Sequence, residues 1–299
     1  MISLNQEVRC DYTVTTKQKK IWQVEVDLLL KLLEVCKKYN LTCWVLAGTM
    51  LGAVRHKGFI PWDDDIDVCL PRKDFEKLKE ISDKEFLSPY FLQFPESDPY
   101  YFGSAMRLRN SNTTGIIVEH KESKENQGIY MDIFPLDVWP QNVKLQESLI
   151  RKVTFYHRML TYRHYLKIDS FKHFVFFVYE KLFFAFSPYE KTLLKFNSLC
   201  RSYEDSQSVY TAYISRGRVK NDGFRYIWSK DETADTVWLD FEDIQVPVPV
   251  GYKECLEKRY GDYMKFPPVE KRGKWHADKI IFDPDTPYLE YQKKNGWIK

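Results

Sequence analysis

"GFIPWDDDIDVCLP", residues 58 to 71, places four carboxylates in five positions between an aromatic run and an apolar one. Read as a strand from Asp65 onward, its alternate side chains point to opposite faces. Asp63, Asp65 and Asp67 then share one face, Asp64 takes the other, and Ile66 and Val68 enter the core. Asp65 and Asp67 would stand roughly 6.5 Å apart. Two carboxylates that close repel each other, and a hard divalent cation such as Mg2+ or Mn2+ relieves the repulsion. A run of acids is more often a solvated turn. This one leads directly into an apolar strand and follows a glycine-bearing turn, "LAGTMLG" at 46 to 52.

Outward from that stretch the pattern alternates between helix and strand. "KQKKIWQVEVDLLLKLLEVCKKY" (17 to 39) repeats apolar residues at Ile21, Val24, Leu28, Leu32 and Val35, the stripe of an amphipathic helix. "CWVLAG" (43 to 48) reads as a buried strand, and "PRKDFEKLKEI" as a helix opening on Pro71. "SAMRLRN" (104 to 110) and "GIYMDIFPLDV" (128 to 138) read as strands, the second with Ile129, Met131 and Ile133 on one face. Residues 141 to 203 turn helical and aromatic. The segment from 241 to 264 returns to a strand, placed at a sheet edge by its prolines, and then a helix. The expected fold is α+β, a mixed sheet core with an appended helical module. The core spans 1–140, the aromatic-rich module 141–215, and 216–299 completes the core.

The balance of 45 basic against 42 acidic residues gives a net +3, and no Lys/Arg-rich stripe suits a nucleic acid. Six scattered cysteines form no C-x-x-C pair, so reduced thiols are expected rather than a zinc or redox motif. The N-terminus has no apolar stretch after a basic start, and no uncharged apolar run is long enough to span a bilayer. A cytoplasmic location is expected, with peripheral contact at the inner face of the cell membrane as an option.

A strand ending in Gly-Thr followed by a D-x-D strand is the local pattern of nucleotidyltransferase-like folds. "LAGTMLGAVRHKGFIPWDDDIDVCLPRKDFEKL", "IYMDIFPLD" and "YGDYMKFPP" resemble the LicD family of phosphotransferases, related to the fukutin proteins. The resemblance covers residues from about 20 to 140 and from about 240 to 276. It implies an enzyme that moves a phosphorylated alcohol, often phosphocholine, from a CDP-activated donor to a sugar hydroxyl, releasing CMP. The acceptor would be a surface polysaccharide or glycolipid precursor, such as capsule, teichoic acid or lipopolysaccharide. In such phosphoryl transfer the carboxylates need only position Mg2+ or Mn2+. Asp65 and Asp67 are the expected ligands, with Asp132 as third ligand or general base, Asp137 as its rival, and Asp63 as a further ligand or alternative base.

Gly48 and Thr49, at the end of the first strand, suit a phosphate approaching a helix N-terminus. Arg55, His56 and Lys57 lie close in sequence to the acids; Arg55 would grip phosphate or pair with Asp63 or Asp64, and His56 would touch phosphate or protonate the departing CMP. Arg107 and Arg109, at strand spacing, form a second phosphate or nucleotide clamp. His276 stands where the family's C-terminal motif continues. A quaternary ammonium is best held by aromatic faces, and Trp62, Tyr100, Tyr101, Tyr130 and Trp139 lie near the motifs.

"FKHFVFFVYEKLFFAF" (171 to 186) is too short and too interrupted to cross a bilayer. It reads either as a buried helix or as an interfacial helix, with Lys152, Arg158, Arg163 and Lys167 meeting anionic headgroups. Competing functions are transfer from CDP-ribitol or CDP-glycerol, nucleotidyl transfer, and a scaffold with a relic site.

Overall fold

The computed structural model describes residues 3–166, 168–216, 227–272 and 279–298. A hairpin of β1 (Glu7–Arg9) and β2 (Tyr12–Val14) precedes the long helix α1 (Thr16–Tyr39). Thr15 caps α1 by accepting the Gln18 N–H, and Asn40 ends it in the left-handed region at φ 54. There follow β3 (Trp44–Val45), α2 (Ala47–Arg55), β4 (Asp67–Pro71), α3 (Arg72–Glu80) and the short α4 (Ser82–Glu85). Next come β5 (Tyr90–Gln93), β6 (Met106–Asn110), β7 (Thr114–Ile117) and the eleven-residue β8 (Ile129–Trp139). Three helices, α5 (Val143–Tyr165), α6 (Phe171–Phe186) and α7 (Tyr189–Cys200), lead to β9 (Tyr210–Ala212) and β10 (Ile227–Ser229). The chain closes with β11 (Thr236–Phe241), β12 (Ile244–Pro249), α8 (Tyr252–Tyr260), β13 (Ile280–Asp283) and α9 (Tyr288–Lys294).

β8 organises a seven-stranded mixed sheet. On one side it runs parallel to β4, with Asp67 opposite Asp132, and β3 pairs beyond β4. Its other side is shared: residues 129–133 pair antiparallel with β6, and 137–139 with β9. Ile129, Met131 and Ile133 are fully buried while Tyr130, Asp132 and Phe134 keep some exposure, the period-two alternation that one-sided burial requires. With helices packed on this sheet the fold is α+β, as expected. Pro247 and Pro249 sit on β12, which among the described residues pairs only with β11, so the missing N–H groups cost no ladder bond on a second side.

Two details differ from the sequence expectation. The first strand shrinks to Trp44–Val45, and Gly48 and Thr49 form the opening turn of α2 instead of a strand end. Ala47, at φ 52, turns the chain sharply between the two. β4 starts only at Asp67, leaving Asp63 to Ile66 irregular.

One apolar core joins α1, α2, β4 and β8, and also takes in Phe241, Val246, Val248, Cys255 and Leu256 from the C-terminal segment. A second is built by α5 and α7 around Trp139, with Phe102, Ala212 and Ile214. The buried-helix reading of 171 to 186 fails: Glu180 is the one buried residue of α6.

Candidate active site

Side chains four and three residues apart line one face of a helix. Gln18, Trp22 and Glu25 do so on α1, and the acidic loop hangs from them. Gln18 Nε2 donates to the carbonyl of Pro61 at 2.8 Å, and Trp22 Nε1 to that of Asp63 at 3.0 Å. Trp22 stacks on Phe59 with ring centroids 4.6 Å apart. The far end of the loop is pinned to α2, where the Asp67 N–H donates to Thr49 Oγ1 at 2.9 Å and the Leu46 N–H to the Asp67 carbonyl at 2.8 Å. A Cβ at Gly48 would stand 2.6 Å from Asp63 Oδ2, so only glycine lets that carboxylate approach the first turn of α2. The helix dipole favours a negative group there. Asp63 thus occupies the position expected for a phosphate.

Held this way, Asp63, Asp64 and Asp65 each offer an oxygen, and the three oxygens lie within 4.8 Å of one another. Strand parity had turned Asp64 away. The loop is not a strand, its backbone being claimed by α1 and α2, so three consecutive carboxylates converge. Among the described residues this is the only group of three potential ligands so spaced, and the Asp65, Asp67, Asp132 set does not match it.

Asp67, Asp132 and Arg107 form a row across β4, β8 and β6 by strand register. Arg107 Nε donates to Asp132 Oδ1 at 2.9 Å, and its guanidinium lies over the rings of Tyr130 (4.2 Å) and Tyr101 (5.5 Å). Desolvation, followed by the charges of Asp65, Asp132 and Asp63, pushes the Asp67 carboxyl well above the usual carboxylate range, and Arg259 of α8 partly opposes the shift. Glu25 is buried beneath the loop. Its carboxyl too is pushed well up, by burial first and then by Asp65, Asp64, Asp63 and Asp67. Among the described residues its Oε2 has no hydrogen-bond partner. Crowded carboxylate oxygens over an orphaned buried acid are a donor set that fits a hard divalent cation.

The sign of the pH dependence follows. A carboxyl raised in the folded state stabilises the fold below its ordinary value, 4.5 for Glu25, and that contribution disappears as pH rises through the folded value. Without added cation, the urea midpoint should therefore fall as pH rises above the ordinary carboxylate range. Glu25→Gln should flatten the fall and raise the midpoint at neutral pH. A variant curve parallel to wild type would show that Glu25 is not among the groups responsible.

The other expected site residues are placed differently. Arg55 pairs with neither Asp63 nor Asp64; its Nη1 donates to the carbonyls of Tyr263 (2.8 Å) and Lys265 (3.2 Å), and it lies over Phe266. His56 accepts from Arg55 Nε at 3.0 Å, stacks on Phe266, and is pushed down to about 4 by burial and then by Arg55 and Arg9. At neutral pH it carries no charge to offer a phosphate. Lys57 is an exposed turn residue at φ 53. Arg109 is a buried strut rather than a clamp, donating to Gln93 Oε1 (2.6 Å) and the Gly128 carbonyl (2.7 Å). Asp137 is held by Arg72 through Nε (2.6 Å) and Nη2 (3.0 Å). His276 lies outside the described residues.

Two nearby residues escaped the sequence reading. Glu25 interrupts the buried face of α1 between Ile21 and Leu28, and a charge inside an apolar stripe is a signal that could have found it. Arg259 follows the acidic loop by nearly two hundred residues and has no local signature.

Comparison with known proteins matches residues 40–176 to the family described as LicD/FKTN/FKRP, nucleotidyltransferase domain. The chain is also 30% identical over 255 residues, 82% of its own length, to the lipopolysaccharide cholinephosphotransferase LicD of Haemophilus influenzae, and covers 90% of that protein. The chain belongs to the LicD family. An uncharacterized protein of Rickettsia prowazekii is 31% identical over 137 residues, 44% of this chain and 48% of the relative. The acidic loop, β4 and β8 all fall inside the stretch matched to the LicD domain.

Proposed function

We propose that this LicD-family chain is a cation-dependent phosphotransferase. It moves phosphocholine from CDP-choline to a sugar hydroxyl of a cell-surface polysaccharide or glycolipid precursor, releasing CMP. The observation that carries the reading is the convergence of Asp63, Asp64 and Asp65 beside the Asp67–Asp132–Arg107 row. The name of the Haemophilus relative, of which the chain covers nearly the whole length, supports the cargo.

In the proposed reaction the acceptor oxygen attacks the phosphorus that bears the alcohol. Its proton passes to Asp132 and then to solvent. As the new P–O bond forms, the bond to the bridging oxygen breaks and CMP leaves with that oxygen. Arg107 orients Asp132 through the bond to Oδ1. Mg2+ or Mn2+ held among Asp63, Asp64 and Asp65, with Asp67 beside them, would supply charge neutralisation on the phosphates and in-line alignment.

A second reading, transfer from CDP-ribitol or CDP-glycerol, is favoured by one observation. The aromatic faces best placed to hold choline already meet arginines: Tyr101 and Tyr130 face Arg107, and Arg272 lies 4.8 Å from the Trp62 ring centroid. Trp139 is buried in the second core. Incubation with Mg2+ and each of the three CDP-alcohols, with and without glycan acceptor, separates the readings. Acceptor-dependent CMP release from CDP-choline supports the first, and release from CDP-ribitol or CDP-glycerol alone supports the second. No CMP from any donor, or transfer of the nucleotide itself, overturns both.

A further inference from the structure

Along α6, Phe171, Phe174, Val178 and Leu182 recur at helical spacing, with Val175 and Phe186 alongside. All six are exposed, Phe171 at 82%, Leu182 at 58% and Phe186 at 87%. The opposite side of the helix is already packed: Phe176 meets Tyr162 and Phe183 meets Phe155, both on α5, with ring centroids 5.3 and 5.6 Å apart. The outer stripe is therefore a continuous apolar band. Exposed Lys172 and Lys181 border it on either side by helical position. The helix has one acid, Glu180; its side chain is buried, with Oε2 3.4 Å from Lys181 Nζ, whose own side chain stays half exposed.

The surrounding charge names the occupant. Between Val143 and Cys200 the sequence carries ten lysines and arginines against four acids, a net +6 in a chain whose total is +3. Stacking a second copy on this face would bring two such modules together, and like charges oppose that. A surface that accepts phenylalanine and leucine while presenting negative charge to lysine is an anionic lipid bilayer. No described helix is long and apolar enough to cross a membrane. At 16 residues α6 is about 24 Å long and would lie in the interface plane.

We infer that α6 docks the protein on an anionic membrane surface, burying its apolar stripe among the lipid headgroups with Lys172 and Lys181 on the phosphates. The inference rests on no step of the proposed reaction, and docking and turnover are measured separately.

The test is co-sedimentation of the full-length protein with vesicles of phosphatidylcholine alone and of phosphatidylcholine with an equal part of phosphatidylglycerol. The protein should pellet with the anionic vesicles, stay in the supernatant with the neutral ones, and detach as salt is raised. Phe174→Ser with Leu182→Ser should weaken binding at least about tenfold. Lys172→Glu with Lys181→Glu should weaken it too and reduce the salt dependence. Phe174 and Leu182 are exposed, so the serine variant should keep the wild-type circular dichroism and urea midpoint. Lys181 pairs with the buried Glu180 at 3.4 Å, so the glutamate variant is compared at a temperature where its circular dichroism matches wild type. Three results would overturn the inference: no binding to anionic vesicles, binding that neither double variant alters, or a wild-type dimer that Leu182→Ser splits.

Discussion

Replacing Asp65 by Asn is expected to lower acceptor-dependent CMP release about a thousandfold while leaving the protein at least as stable as wild type. Asp65 belongs to the convergent trio and, after burial, its charge does most to raise the Asp67 carboxyl, so it serves whichever carboxylates hold the cation. Losing a charge that positions a metal against transferring phosphate costs several kcal/mol of transition-state stabilisation; about 4 kcal/mol is about a thousandfold in rate. Stability should move the other way, because the substitution removes one of several mutually repelling acids over Glu25. Asp64→Asn should also impair release, since the irregular loop brings Asp64 beside Asp63 and Asp65. If Asp65→Asn retains turnover in Mg2+, or loses activity only because it unfolds, the site assignment fails.

The largest effect on stability is expected at Asp137, away from the chemistry. Asp137 is 1% exposed and receives two hydrogen bonds from Arg72, itself 7% exposed. Breaking a buried pair by removing one partner leaves the other charge desolvated and typically costs about 3–5 kcal/mol. Asp137→Asn should lower the unfolding free energy from urea titration by about that amount, reduced by what the Arg72 bond to Glu76 retains. The double change Arg72→Met with Asp137→Leu should recover most of the loss, because no unpaired charge remains. At a temperature where Asp137→Asn is folded, CMP release should stay near wild type, which separates Asp137 from Asp132. An unchanged urea midpoint in Asp137→Asn would contradict this.

What the sequence revealed depended on whether local pattern or distant contact set the geometry. β8 was legible because one buried face imposes alternation from Ile129 to Ile133 with nothing else competing. The α1 stripe was legible for the same reason. The acidic loop was not. Strand parity is a valid rule only where a ladder holds the backbone, and here Gln18 and Trp22, more than forty residues earlier in the chain, take the carbonyls instead. That substitution brings Asp64 into the site. Arg55 and His56 misled because adjacency in sequence says nothing about which way a side chain leaves the backbone; Arg109 does share the Tyr130 ring with Arg107, as strand spacing implied, but Gln93 and the Gly128 carbonyl take its guanidinium. Arg55 found carbonyls at Tyr263 and Lys265, some two hundred residues away. Gly48 mattered as expected but for a different contact, a carboxylate of the chain itself.

The central claim, that the converging aspartates hold a divalent cation, is tested most directly by titrating the purified protein with Mn2+ and following free ion by electron paramagnetic resonance. Wild type should show one saturable site, Asp65→Asn should bind at least about tenfold more weakly, and Mg2+ should compete. Asp137→Asn, measured where it is folded, should bind like wild type. No saturable binding by wild type, or equal binding by wild type and Asp65→Asn, would contradict the account.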